Sequence, residues 1–123
     1  MKLSTNFDSD EFGCKCCGQV HPDGMDPKLI SLLENIRAQA CEILGADAPV
    51  TIISGYRCLR HNKAVKGARS SQHLLGTAAD IVISGLTPKA VAQIAQKILG
   101  RSGGIGVYSG FTHVDVRRNR ARW

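Results

Sequence analysis

The run Ser71-Gln72-His73-Leu74-Leu75-Gly76-Thr77-Ala78-Ala79-Asp80-Ile81-Val82-Ile83 crosses a glycine turn and ends in an apolar strand, Ala78–Ile83. Gly76 suits a tight turn because it tolerates the left-handed backbone region. An ionised carboxylate at Asp80 is expensive to bury in such a strand without a metal, an arginine or several N–H donors. Pairing with Arg57 or capping of a turn is the plain structural alternative. A second run, Phe111-Thr112-His113-Val114-Asp115-Val116, carries a His and an Asp two residues apart, hence on one face of a strand. Two imidazoles and a carboxylate from different segments form the ligand set of an open catalytic zinc site, with water in the fourth position.

The flanking segments supply the rest of the fold. Asp26 is placed as N-cap and Pro27 as first residue of a helix. Its apolar stripe is Leu29, Leu33, Ile36, Ala40 and Ile43, and Gly45 provides the stop. Val50–Ile53 reads as a buried strand ended by Ser54-Gly55-Tyr56-Arg57. Residues 58–70 form a basic connection with one helical turn near Leu59–Ala64. Thr87-Pro88 starts a second helix with Ala90, Val91, Ile94, Ile98 and Leu99 as its apolar positions, closed by Gly100. Gly104–Tyr108 and Phe111–Val116 form a hairpin around Ser109-Gly110. This order predicts an α+β fold, a small and largely antiparallel sheet packed by two main helices. The whole chain, 1–123, reads as a single domain, with 1–26 as its cysteine-containing N-terminal segment.

Hydrophobic residues at 43% and charged residues at 21% are ordinary for a globular protein. No apolar run approaches the roughly 20 residues of a membrane span. The N-terminus, Met1-Lys2-Leu3-Ser4-Thr5-Asn6-Phe7, lacks the apolar core of a signal peptide, which predicts synthesis in the cytoplasm without membrane insertion. The net charge of +6 is concentrated late, at Arg101, Arg117, Arg118, Arg120 and Arg122. Such a surface favours polyanions, among them nucleic acid, anionic lipid and the bacterial wall; the alternative is a solvated basic tail. Aromatics at 5% leave too few stacking platforms for a nucleic-acid partner.

Phe111, His113, Asp115 and Arg117 share one strand face, which predicts a wet cleft there. His113 supplies the third metal ligand. Asp115 is either the general base beside metal-bound water or the carboxylate that orients a ligand imidazole, and the first is favoured. Arg57, at a strand end, is a natural fork for a substrate carboxylate, with a surface ion pair as the alternative. Ser71 and Gln72 flank the ligand histidine within reach of a substrate. Tyr108 either donates to a developing oxyanion or packs.

Ser71-x-His73-x-x-Gly76-x-Ala78-x-Asp80, preceded by Ser54-Gly55-Tyr56-Arg57 and followed by Phe111-x-His113-Val114-Asp115, resembles the zinc D-Ala-D-Ala carboxypeptidases of the peptidase M15 family. That group includes many phage endolysins, and the resemblance spans about residues 7–117. It implies a hedgehog/DD-peptidase-like fold, with His73, Asp80 and His113 holding Zn2+, Arg57 on the substrate carboxylate and Ser71 lining the substrate site. The implied activity is hydrolysis of peptidoglycan stem peptides, of carboxypeptidase or endopeptidase type. It would act on the wall after release or delivery, as a phage-encoded enzyme does. The chain departs from the family at Gly110, where many members carry an acidic base three residues before the last zinc histidine. Asp115 is then the displaced base or, failing that, a ligand in place of a histidine. Without either, the chain is a non-catalytic wall-binding or virion structural module.

Cys14-Lys15-Cys16-Cys17 contains a Cys-x-x-Cys spacing, with His21 four residues on and Cys41 and Cys58 far away. Three readings stay open: a second, structural zinc on Cys14, Cys17 and His21 with a distant fourth ligand; a disulfide from Cys14 or Cys17 to Cys58; or plain reduced thiols. No His/Asn arrangement accompanies them, so none is a catalytic nucleophile.

Overall fold

The computed structural model describes all 123 residues. Helix α1 spans Pro27–Leu44; the Asp26 carboxylate accepts the Lys28 amide at 2.8 Å, and Gly45 closes the helix at φ 66°. Leu29, Leu33, Ile36 and Ala40 are buried, the stripe expected from their spacing, joined by Ile30 and Leu32. Ile43 is 61% exposed, because the last turn faces an open apolar groove rather than the sheet. Helix α3, Pro88–Leu99, is capped by the Thr87 hydroxyl and buries Val91, Ala92, Ile94 and Ala95. Between them in sequence lies the short α2, Leu59–Ala64.

The five strands are β1 Val50–Ser54, β2 Ala78–Ile83, β3 Gly104–Val107, β4 Thr112–Asp115 and β5 Ala121–Arg122, in the spatial order β1-β2-β4-β3-β5. The β1–β2, β2–β4 and β4–β3 pairs are antiparallel, as expected. β5 is an addition: it pairs parallel with β3, so the sheet is mixed. The basic C-terminal residues are accordingly no loose tail. Arg122 reaches Gln96 at 2.6 Å and the carbonyl oxygens of Gly100 and Gly103 at 2.9 and 2.6 Å.

Strand alternation divides the two faces of the sheet. Val50, Ile52, Ala79, Ile81, Ile83, Ile105 and Val114 join α1 and α3 in the core. The intervening residues, Asp80, Gly104, Gly106, His113 and Asp115, lie on the opposite face. The N-terminal segment is bound to this body: Phe7 and Phe12 are core residues, and Glu34 of α1 accepts from the Ser4 hydroxyl and the Asn6 amide. Gly55 is pressed so close to Phe12 that a Cβ there would collide with the Phe12 backbone.

Candidate active site

The register of the two central strands sets Asp80 directly opposite His113, and Ala78 opposite Asp115. His73 comes from a 3-10 turn, Gln72–Leu75, that the Ser71 hydroxyl caps and Gly76 ends at φ 72°. The structure thus brings together the three ligand atoms that the sequence spacing singled out: those of His73, Asp80 and His113 all lie within 4.8 Å of one another, and all three residues are buried.

Hydrogen bonding fixes how the two rings are turned. His73 Nδ1 lies 2.7 Å from the Gly55 carbonyl oxygen, which can only accept, so Nδ1 carries the proton. Its Nε2 lone pair then faces Asp80 Oδ1 at 3.3 Å. His113 Nε2 lies 2.7 Å from Asp115 Oδ2, and its Nδ1 faces the same Asp80 oxygen at 3.0 Å. Two lone pairs and an anionic oxygen converge on one point. Such a set is stable only with a proton or a cation between its members. Burial pushes the Asp80 carboxyl up, but with a proton in the place of a cation, hydrogen bonding to His113 and His73 outweighs it and holds the group down at about 2. Burial likewise works against charge on His113, yet its two carboxylate partners raise its pKa above the ordinary value. The donor set fits a divalent metal of the zinc type, with outer N–H groups anchored to a carbonyl and a carboxylate.

Asp115 is 0% exposed. Its Oδ2 accepts from His113 and from Arg117 Nη2 at 2.7 Å each, and its Oδ1 accepts from the Arg117 amide at 3.0 Å and Nε at 2.9 Å. Burial raises its pKa, but these donors carry it well below the usual carboxylate range. Gly104 roofs the carboxylate so tightly that any Cβ would strike it. The strand face, expected to be wet, is dry at Asp115, and the carboxylate lies against Nε2 of the His113 ring, on the side away from Asp80. Its geometry is that of the orienting carboxylate.

The remaining expected residues surround an open cavity of about 660 Å³. Arg57 Nη2 reaches Asp80 Oδ2 at 3.4 Å, while Nη1 lies 3.3 Å from Asn62 Oδ1 and Nε 3.4 Å from Ser54 Oγ. Ser71 and Tyr108 line the same cavity. Tyr108 stacks on Phe111 with ring centroids 4.6 Å apart, and its hydroxyl accepts from Trp123 Nε1 at 2.6 Å. Trp123 is a wall that sequence reasoning missed. Its ring packs 5.0 Å from His113, carries Arg117 5.2 Å above it, and lies over Gly106, where a Cβ would meet it. Its being the sole tryptophan was the available signal. Asn62, buried and bonded to the Ala68 carbonyl at 2.9 Å, was also missed; nothing in its sequence context marks it.

His21 stands apart from the cysteines. It packs edge-on against Tyr56 at 5.5 Å, and its Nδ1 accepts the Asp23 amide. The set Cys14, Cys17 and His21 is therefore not assembled; Cys58 takes the place of the histidine.

Residues 5–115 match the family described as Peptidase M15. The chain is 33% identical over 99 residues to the peptidoglycan L,D-endopeptidase MepK of Escherichia coli K12, covering 75% of this chain and 51% of that protein. It is 35% identical over 110 residues to the probable peptidoglycan L,D-endopeptidase MepK of Haemophilus influenzae, covering 83% and 55%. The chain thus spans about half the length of the curated relatives it matches. The matched segment covers most of the chain and contains all three converging residues, His73, Asp80 and His113; the chain belongs to the peptidase M15 family.

Proposed function

We propose that this chain is a zinc-dependent peptidase that cleaves the stem peptides of peptidoglycan. The observation that carries the proposal is the convergence of His73 Nε2 and His113 Nδ1 on one oxygen of Asp80 at the floor of an open cavity. These three residues would hold Zn2+, which when bound supplies a Lewis acid and brings the pKa of its water to about 7. Arg57, tethered by Asn62 and Ser54, offers its guanidinium to a substrate carboxylate, in keeping with the acidic character of stem peptides. Tyr108, Phe111 and Trp123 give one wall an apolar surface against which a peptide can lie. Asp115 is the positioning residue that keeps the His113 ring turned. The names of the relatives favour endopeptidase over carboxypeptidase cleavage and an L,D bond as the target.

Purified sacculi incubated with the chain, with and without chelator, provide the test, with released muropeptides read by mass spectrometry. New amino termini at an internal L,D bond support the endopeptidase reading. Release of terminal D-Ala alone assigns the carboxypeptidase type instead. His73→Ala should abolish both cleavage and the metal held at this site; cleavage at the wild-type rate would sink the proposal.

One observation favours a second reading. No carboxylate other than the ligand Asp80 lines the cavity, and the position of the family's acid is Gly110. A wall-binding module that does not cleave has the same outline. It would pellet with sacculi while releasing no new amino groups.

A further inference from the structure

Away from the cavity, three thiols converge: the sulfurs of Cys14, Cys17 and Cys58 lie within 4.8 Å of one another. The turn that presents the first two is tight. The Gly18 amide donates to the Cys14 carbonyl at 2.7 Å, the Cys14 amide to the Gln19 carbonyl at 2.8 Å, and Gly18 sits at φ 74°. Backbone N–H groups are aimed at the sulfurs. The Cys58 amide donates to Cys14 Sγ at 3.4 Å, and the His61 amide to Cys58 Sγ at 3.4 Å.

Sulfur accepts such bonds weakly as a thiol and well as a thiolate. Burial raises the Cys14 thiol, but amides of Cys58, Cys17 and Cys16 overcome this and bring it down to about 7. Cys16, exposed and next to Cys17 in the chain, lies near enough for the charge of Cys58 to add to desolvation in pushing its thiol up. Thiolates gathered this closely repel one another, and a divalent cation removes the repulsion. Arg60 also lies close enough to act on Cys16, offsetting part of the negative charge of a thiolate-rich centre.

We propose that Cys14, Cys17 and Cys58 hold a structural Zn2+ separate from the His/Asp/His centre, with the fourth position open to water or to the neighbouring Cys16. Soft thiolate donors select zinc over magnesium or calcium. Each thiol that binds releases its proton to solvent, with no change of oxidation state. The ion would staple the N-terminal segment to the connection that follows β1. Arg57 immediately precedes Cys58, and its amide donates to the His73 carbonyl at 3.1 Å, so the staple also steadies one wall of the cavity. The assignment does not depend on the chain being a peptidase.

The test is titration of the reduced, metal-stripped full chain with Co2+. A tetrahedral thiolate site gives a sulfur-to-cobalt charge-transfer band in the near ultraviolet, which the His/Asp/His centre cannot give because it has no sulfur. The band should appear in the wild type, persist in His73→Ala and vanish on addition of Zn2+. Cys58→Ser should lose it, and its Co2+ affinity at this site should fall by more than the roughly 10–100-fold that losing a supporting contact costs. Cys14 is buried and its variant is at risk of unfolding, so Cys17→Ser, at an exposed position, is the parallel probe, with circular dichroism confirming the fold. Cobalt uptake by the wild type without the band, or an unchanged band in Cys58→Ser and Cys17→Ser, would overturn the assignment.

Discussion

Asp115 shows how firmly one buried carboxylate can be held. Four donor contacts from two residues surround it, and its partner His113 turns its other nitrogen to Asp80. Asp115→Asn keeps the shape but offers one acceptor fewer. The His113 ring should lose its anchor, and zinc affinity at the His/Asp/His centre should fall by about 10–100-fold. Isothermal titration of the metal-stripped variant checks this. A general base would behave differently: the variant would keep its zinc affinity and lose only the rate of cleavage. Gly104 supplies an independent probe of the same carboxylate. Gly104→Ala drives a methyl into the Asp115 side chain, and overpacking of this kind costs about 1–3 kcal/mol. Urea unfolding should show that loss, together with weaker zinc binding, although residue 104 itself touches no metal ligand.

Between single residues and the whole chain stand the elements, and β5 is the instructive one. Two residues long, it adds a parallel edge to β3, and it delivers Trp123 onto Gly106 and His113. Trp123→Ala should cost about 1–2 kcal/mol, less than the 3–5 of a fully buried aromatic, because the ring is 49% exposed. Thermal unfolding measures this, and hydrolysis of sacculi should weaken as the cavity wall is lost. No sequence periodicity announces a strand this short, so residues 121–123 read as a basic tail. The longer elements were legible because each carries its own signal. Asp26-Pro27 with Gly45 bounds α1, Thr87-Pro88 with Gly100 bounds α3, and the apolar run of β2 is unbroken except at Asp80. The convergence of His73, Asp80 and His113 was legible for a related reason: local spacing across Gly76 and strand alternation determine where they point. The partners of Asp115 were not. Whether a carboxylate faces water or an arginine fork depends on Gly104 of the neighbouring strand and on the path of the chain after β4, which alternation alone does not specify. The approach of Cys58 to Cys14 and Cys17 was legible only as one of three open readings, since it is created by the docking of distant segments.

At the scale of the whole molecule, the charges buried on one sheet face link metal binding to pH and to stability. Consider the metal-free protein first. Asp80 is depressed to about 2, and Asp115 is shifted in the same direction. Groups with lowered folded pKa values contribute stability that is present above the unfolded value of about 4 and lost as pH falls toward 2. His113 is raised, so its contribution is full below its unfolded value of about 6.5 and is lost as pH rises through the folded one. The metal-free chain should therefore be most stable between about pH 4 and 6.5, losing stability steeply on the acid side and gradually on the alkaline side. Zinc held by His73, Asp80 and His113, as proposed, would reverse the alkaline trend. Its binding requires neutral imidazoles, so it competes with the proton that stabilises the empty site and gains affinity as that proton leaves. Ligand binding raises stability with the logarithm of one plus the ratio of free ligand to its dissociation constant, and the zinc-induced rise in Tm should grow steadily from about pH 5 to 7.5. His73→Ala serves as the reference, because it spares the cysteine cluster and so subtracts any zinc bound there. Differential scanning fluorimetry of both proteins, with zinc and with chelator, reads the difference directly. A zinc effect that is equal in the two proteins, or independent of pH in the wild type, would show that His73, Asp80 and His113 do not share an ion.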